Sequence, residues 1–340
     1  MYRTSSGAPF DASRQVNAAA AGDSYPYRDR QSRLTGRPRD ASPCEAPCRW
    51  FAHPDGCDTI GFIMKKSICH YSFHRTWQSE QWSCDDLADT VRDLGVEGID
   101  YHVGFLGDRE GAADRIRAAL ARTGLELSGL SMSNDFNQEE PAALDAQIDS
   151  VRQWLRVAAE VEAPVSRIFG GHIDDRSNAA QLATGFDRIL HGLGEVVREA
   201  ERLGVVLALE NHGGLPCTGE EQVDVIRKIG SKHLQATIDV GNYMQGRQEA
   251  HDGTAAAASC AAYIHFKDFH RTNDRDAPAW DIVPCIVGRG DIDHAKCLDV
   301  LRQSGYDGFV ALEYEGPEDE RIGVAESVAF MNRVMEGMSG

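Results

Sequence analysis

Residues 203–213, Leu-Gly-Val-Val-Leu-Ala-Leu-Glu-Asn-His-Gly, hold the fold in miniature. They close a long amphipathic stretch, Ala179–Leu203, and Gly204 supplies the left-handed residue that ends a helix. The run Val205–Glu210 is then apolar at every position but the last. A short run that is apolar on both faces and is entered from a helix stop reads as a strand buried in a parallel sheet. Its final glutamate falls where such a strand leaves the core.

The same unit recurs in both directions along the chain. Apolar runs lie at Ser67–Phe73, Gly98–His102, Leu125–Met132, Val165–Gly170, Val205–Glu210, Ala236–Val240, Ala262–Lys267 and Phe309–Tyr314. Helical patterns separate them at Asp85–Leu94, Ala112–Arg122, Pro141–Val161, Ala179–Leu203, Glu220–Ile229, Gly253–Ala261 and His294–Ser304, and Arg321–Met335 closes the series. Glycine stops recur in Leu94-Gly95, Thr123-Gly124 and Ser304-Gly305. Eight βα repeats with right-handed crossovers predict an α/β fold, a (β/α)8 TIM barrel over residues 64–340. A doubly wound sheet would need a glycine-rich phosphate loop after its first strand, and Phe73-His74-Arg75-Thr76-Trp77 is nothing like one.

Residues 1–63 have a different composition, rich in Arg, Ser, Asp, Ala and Pro and without a sustained period. They bury too little apolar surface to offset ordering, so a disordered N-terminal extension, or an upstream start codon, is expected. No apolar core of a signal peptide stands out there, and a cytoplasmic location is expected. The nine cysteines point the same way: the count is odd, and Cys69, Cys217, Cys260, Cys285 and Cys297 sit in apolar stretches, as reduced thiols do. Cys44, Cys48 and Cys57 with His53 match no common zinc-finger spacing.

Against 35 basic residues stand 53 acidic ones, a net charge of −18. Residues 1–63 carry eight arginines and seven acids, so the whole excess belongs to residues 64–340. Such a surface repels phosphate backbones and anionic bilayers, which speaks against a nucleic-acid or membrane partner. No apolar run approaches the roughly 20 residues of a membrane span.

Barrel enzymes place their chemistry at the C-terminal ends of the strands. Runs five to eight reach Glu210, Asp239, His265 and Glu313 at that end, at spacings of 29, 26 and 48 residues. A single acid there is ordinarily a helix cap or loop contact. Four ligand-type residues in register would repel one another without a cation, so one divalent metal ion is predicted. Three carboxylates and an imidazole suit Mn2+ or Mg2+ first, with Co2+ or Zn2+ as alternatives.

These residues, in Leu209-Glu210-Asn211-His212-Gly213, Ile238-Asp239-Val240-Gly241-Asn242, His265-Phe266-Lys267-Asp268, Gly288-Arg289-Gly290-Asp291-Ile292-Asp293 and Leu312-Glu313-Tyr314-Glu315, resemble the xylose-isomerase-like barrel superfamily of sugar isomerases and epimerases. The resemblance covers residues 66–337. It implies metal ligands at Glu210, Asp239, His265 and Glu313, with Glu210 and Glu313 doubling as the catalytic acid/base pair. Family members commonly carry histidine three residues after the aspartate, where this chain has Asn242. That departure speaks against a multinuclear centre of the DNA-repair endonuclease type.

The expected activity is a divalent-metal-dependent sugar isomerase or epimerase acting through an enediolate. A lyase on the same scaffold, a keto-inositol dehydratase or a C-glycoside deglycosylase subunit, is the alternative. A small sugar or cyclitol is the expected partner, within a homo-oligomer. Strand parity brings His212 and Lys267 toward the pocket with Glu210 and His265. His172, after Gly170-Gly171, and Asn242 complete the expected substrate contacts. His70, His74 and His102 read as hydrogen-bonded core histidines, Trp77 and Trp82 as a sugar wall or helix packing. Arg271, Arg275 and Arg289 read as a self-paired loop.

Overall fold

A computed structural model describes residues 64–337. The expected extension, with Cys44, Cys48, His53 and Cys57, lies outside the described residues. Eight strands form one parallel sheet: β1 (Lys65–Cys69), β2 (Gly98–His102), β3 (Glu126–Ser131), β4 (Ser166–Phe169), β5 (Leu207–Glu210), β6 (Leu234–Asp239), β7 (Ala261–Phe266) and β8 (Phe309–Leu312). Their order is β3-β2-β1-β8-β7-β6-β5-β4. The two ends meet where Leu130 N donates to Val165 O at 3.0 Å and Met132 N to Arg167 O at 2.9 Å, closing the barrel.

Helices α1 (His74–Glu80), α2 (Cys84–Asp93), α3 (Ala112–Thr123), α4 (Pro141–Glu160), α5 (Ala179–Leu203), α6 (Gly219–Ile229), α7 (Ala250–Ala257), α8 (His294–Ser304) and α9 (Glu320–Glu336) surround it. The outward side chains Ile68, Ile99, Ile168, Leu209 and Ile264 share one core with Leu87, Ile116, Leu155, Leu193, Ile226, Leu298 and Val328 of the helices. The four glycine stops read from the sequence, Gly95, Gly124, Gly204 and Gly305, adopt φ between 73° and 84°. Cys69, Cys84, Cys217, Cys285 and Cys297 are buried thiols. Among the described residues no helix is long and apolar enough to cross a membrane.

Two elements differ from expectation. The first strand stops at Cys69, and His70–Phe73 turns as a 3-10 segment into α1, a helix that periodicity did not reveal. The reason is tertiary: buried Glu320 accepts from Arg75 N at 2.9 Å and Thr76 N at 2.7 Å, capping α1 from the far end of the chain. The seventh helix begins earlier, at Ala250, and ends at Ala257, because Ala258–Cys260 tightens into a 3-10 turn before β7.

One buried side chain ties helix to barrel close to the strand ends. Gln222 of α6 donates to Leu209 O at 2.7 Å and Thr237 O at 2.8 Å, and accepts from Tyr243 Oη at 2.9 Å. It thereby fixes β5 and β6 immediately before Glu210 and Asp239. Replacing Gln222 by leucine leaves two carbonyls and a phenol without partners, and is expected to cost roughly 2–4 kcal/mol. Urea unfolding of Gln222→Leu checks this.

Candidate metal centre

Register builds the centre. Asp239 pairs with His265, Glu210 with Thr237, and His265 with Ala311. Since side chains alternate across a strand, Thr237 shares a face with Asp239 and Ala311 with Glu313. All four candidate ligands therefore point along one inner face. Val165, Ala208, Tyr263 and Ala311 form a small apolar cluster inside the barrel. Two residues further along the same strands stand Arg167, Glu210, His265 and Glu313, so an apolar layer carries an ionic one.

One ligand atom from each of Glu210, Asp239, His265 and Glu313 lies within 4.8 Å of the others, all buried. His265 Nδ1 is 3.7 Å from Glu210 Oε2, 4.0 Å from Asp239 Oδ2 and 3.3 Å from Glu313 Oε2. These same four atoms lack any hydrogen-bond partner. A buried polar atom in that condition costs about 1–3 kcal/mol, so four converging on one point fit a shared cation.

The remaining oxygens are held by the protein. Asn242 Nδ2 donates to Glu210 Oε1 at 3.0 Å. Asp239 Oδ1 accepts from Gly241 N at 2.8 Å and Asn242 N at 2.9 Å. The Asn211 amide bonds both ways with the Asp239 backbone, at 2.9 Å each. Glu313 Oε1 lies 3.7 Å from Cys69 Sγ. One oxygen of each carboxylate thus faces the protein while the other faces the centre.

Charge balance points to a divalent ion. Four buried acids, Asp100, Glu210, Asp239 and Glu313, surround His265, against two buried cations, Arg167 and Lys267. With the imidazole counted as neutral the surplus is two negative charges, and it shifts the protein's own groups. Burial and the neighbouring carboxylates push Glu210 up to about 7, Arg167 and His265 opposing them. Burial likewise raises Asp239, with Glu313 adding to it. For His265 burial favours the neutral ring, yet Glu313 and Glu210 outweigh it and raise the imidazole to about 9. Glu313 goes the other way: Lys267 and His265 overcome its burial and hold it well below the usual carboxylate range.

The residues named from the sequence are distributed unevenly. Lys267 Nζ lies 2.8 Å from Glu313 Oε2, 3.2 Å from Asp239 Oδ2 and 3.2 Å from Glu315 Oε1, while Asp268 is engaged elsewhere. Asn242 is buried against Glu210. His212 stacks on Phe169 at 4.2 Å, and burial lowers it to about 3, keeping it neutral. His172 is instead exposed and paired with Asp174 Oδ1 at 2.8 Å. His70 is buried beside Trp77, and His102 pairs with Ser133 Oγ. Trp82 packs on Phe73 and carries Arg321 over its ring. Arg275 pairs with Glu249 and Arg289 with Glu326, while Arg271 covers Trp280.

Sequence reasoning missed Arg167, Asp100, Cys69 and Glu315. Arg167 is fully buried: Nε stands 3.2 Å from Glu210 Oε2, Nη1 donates to Met132 O at 2.8 Å, and the guanidinium lies 4.0 Å above Phe169. An arginine in the apolar run Val165–Gly170, on the inward parity of Val165, was the available signal. Asp100, held by Ser131 Oγ at 2.5 Å, lies 4.0 Å behind His265 Nε2. Arg167→Met removes one partner of a buried pair and is expected to cost about 3–5 kcal/mol. A double-mutant cycle with Glu210→Gln, read by thermal unfolding, should recover part of that loss.

The chain belongs to the xylose isomerase-like TIM barrel family, whose sequence profile matches residues 88–334. It is a relative of sugar epimerases: L-ribulose-5-phosphate 3-epimerase of Escherichia coli is 22% identical over 253 residues, 70% of this chain and 84% of that enzyme. An uncharacterised protein of Methanocaldococcus jannaschii is 25% identical over 194 residues, 54% of this chain, and the match spans 64% of that protein, less than two thirds of it. A solved xylose isomerase-like barrel protein of Mycobacterium smegmatis, in complex with magnesium, shares the fold at a TM-score of 0.62 with 17% identity, over 80% of this chain and 96% of its own.

Proposed function

We propose that the protein is a divalent-metal-dependent isomerase or epimerase of a small sugar or cyclitol. The observation that carries this reading is the convergence of four buried atoms without a hydrogen bond, from Glu210, Asp239, His265 and Glu313. The kinship with an L-ribulose-5-phosphate 3-epimerase supports the reaction class. Bound to these four residues, Mn2+ or Mg2+ would neutralise the carboxylate surplus and polarise the carbonyl and adjacent hydroxyl of an α-hydroxy ketone.

The chain's own residues then handle the proton. Glu210 and Glu313 stand on either side of His265, at 3.7 and 3.3 Å from its Nδ1. One takes a proton from the carbon next to the carbonyl and the other returns one to the opposite face, which inverts that centre. Return to the neighbouring carbon interconverts ketose and aldose. Asn242 and Arg167 fix the carboxylate plane of Glu210, so its proton-accepting oxygen keeps one position. The neutral ring of His212 and the ammonium of Lys267 line the approach to these groups.

Incubation of Mn2+-loaded protein with a ketose and keto-inositol panel in D2O, followed by proton NMR, tests the reaction. Deuterium at a retained C–H is expected; a new vinylic signal would mark a lyase and overturn the reading. Glu313→Gln and Asp239→Asn are each expected to lose about 100-fold or more in turnover. Full activity in both variants would remove the site assignment.

A further inference from the structure

Lys267 stands in an unusual place for a lysine. It is 2% exposed, and its Nζ meets Glu313 Oε2 and Asp239 Oδ2, two of the four atoms that converge on the candidate metal position. It approaches those two oxygens at ion-pair distance but off the hydrogen-bond axis, for both remain without a hydrogen-bond partner. Its one side-chain hydrogen bond runs the other way, to Glu315 Oε1 at 3.2 Å. The ammonium is shared between the ligand carboxylates and a half-buried acid just outside them.

The backbone beneath this head group is fixed. His294 Nε2 donates to Lys267 O at 3.0 Å. The next residue, Asp268, accepts from Phe269 N at 2.9 Å, Gly288 N at 2.8 Å, Gly290 N at 2.9 Å and Ile292 N at 3.4 Å. This is the structural work of the Gly288–Asp293 segment. Side-chain torsions alone can therefore move Nζ between its two sets of partners, with no change in the strand.

We infer that Lys267 is the resident counter-cation of the centre: its ammonium pairs with Glu313 and Asp239 when no divalent ion is bound, and is handed to Glu315 when one is. This rests on the metal reading above. An ammonium and a divalent ion compete for the same oxygens and repel each other, so Lys267 keeps the carboxylates assembled and also weakens metal affinity. Glu315 has the opposite effect, because it receives the displaced charge.

Mn2+ titration of the full chain, with free Mn2+ read by its EPR signal, together with thermal unfolding in EDTA and in Mn2+, tests the inference. Lys267→Met is expected to bind Mn2+ at least about tenfold tighter, to melt lower in EDTA, and to gain a larger Mn2+-induced rise in Tm. Lys267→Arg should regain the melting temperature in EDTA. Glu315→Gln, on the exposed side of the pair, should weaken Mn2+ binding by about threefold or more. If Lys267→Met folds only when Mn2+ is present, the inference stands, and if it folds in neither condition Glu315→Gln decides. Wild-type affinity in the folded Lys267→Met and in Glu315→Gln, or in Glu315→Gln alone if Lys267→Met does not fold, overturns it. Failure of the metal reading looks different: the wild type would then bind no Mn2+, or bind it undiminished in Asp239→Asn and Glu313→Gln.

Discussion

Everything at the C-terminal ends of these barrel strands answers to one electrostatic constraint. Four buried acids surround one imidazole with only two buried cations to offset them. In a low-dielectric interior such a set holds together only if each charge is paired, protonated or shared with an ion. The neighbouring residues meet that requirement one oxygen at a time: Arg167 and Asn242 at Glu210, backbone amides at Asp239, Lys267 at Glu313. Four buried atoms, one from each of Glu210, Asp239, His265 and Glu313, still lack a hydrogen bond and face one another, and a divalent ion suits that set.

The scaffold is stiff where that constraint is strongest. Gln222 locks β5 to β6 immediately before Glu210 and Asp239, and Asn211 locks the ends of the same strands. Asp268 gathers three backbone amides of the 288–292 turn, together with that of Phe269, beside Lys267. These are polar residues buried in the service of geometry, since a ligand misplaced by an ångström loses coordination. On that fixed backbone the head of Lys267 is shared between Glu313, Asp239 and Glu315.

Much of this was legible in the chain. Alternating apolar runs and glycine-stopped helices carried the eight-stranded barrel, because buried parallel strands must be apolar on both faces. Glu210, Asp239, His265 and Glu313 stood out because they end otherwise apolar runs at the rim where barrel chemistry occurs. Asn242 was marked as an expected substrate contact, and the structure puts its side chain on Glu210. His172 was marked on its loop position, and the structure turns it to solvent with Asp174. Helix α1 was not legible, for its cap Glu320 lies 244 residues or more from the amides it accepts.

By itself, then, the sequence determined the fold and the four candidate ligands, since both follow from a period of two along strands and a stop at each strand's end. Only the tertiary structure decided which side chains answer the charge of that cluster. Arg167, Asp100, Cys69 and Glu315 lie on strands or strand ends separated by dozens to hundreds of residues, and no local pattern links them. Their pairing is fixed by barrel closure, which brings β4 against both β3 and β5, and β8 against β1 and β7. Charge compensation acts through space, and space inside a barrel is set by which strands meet.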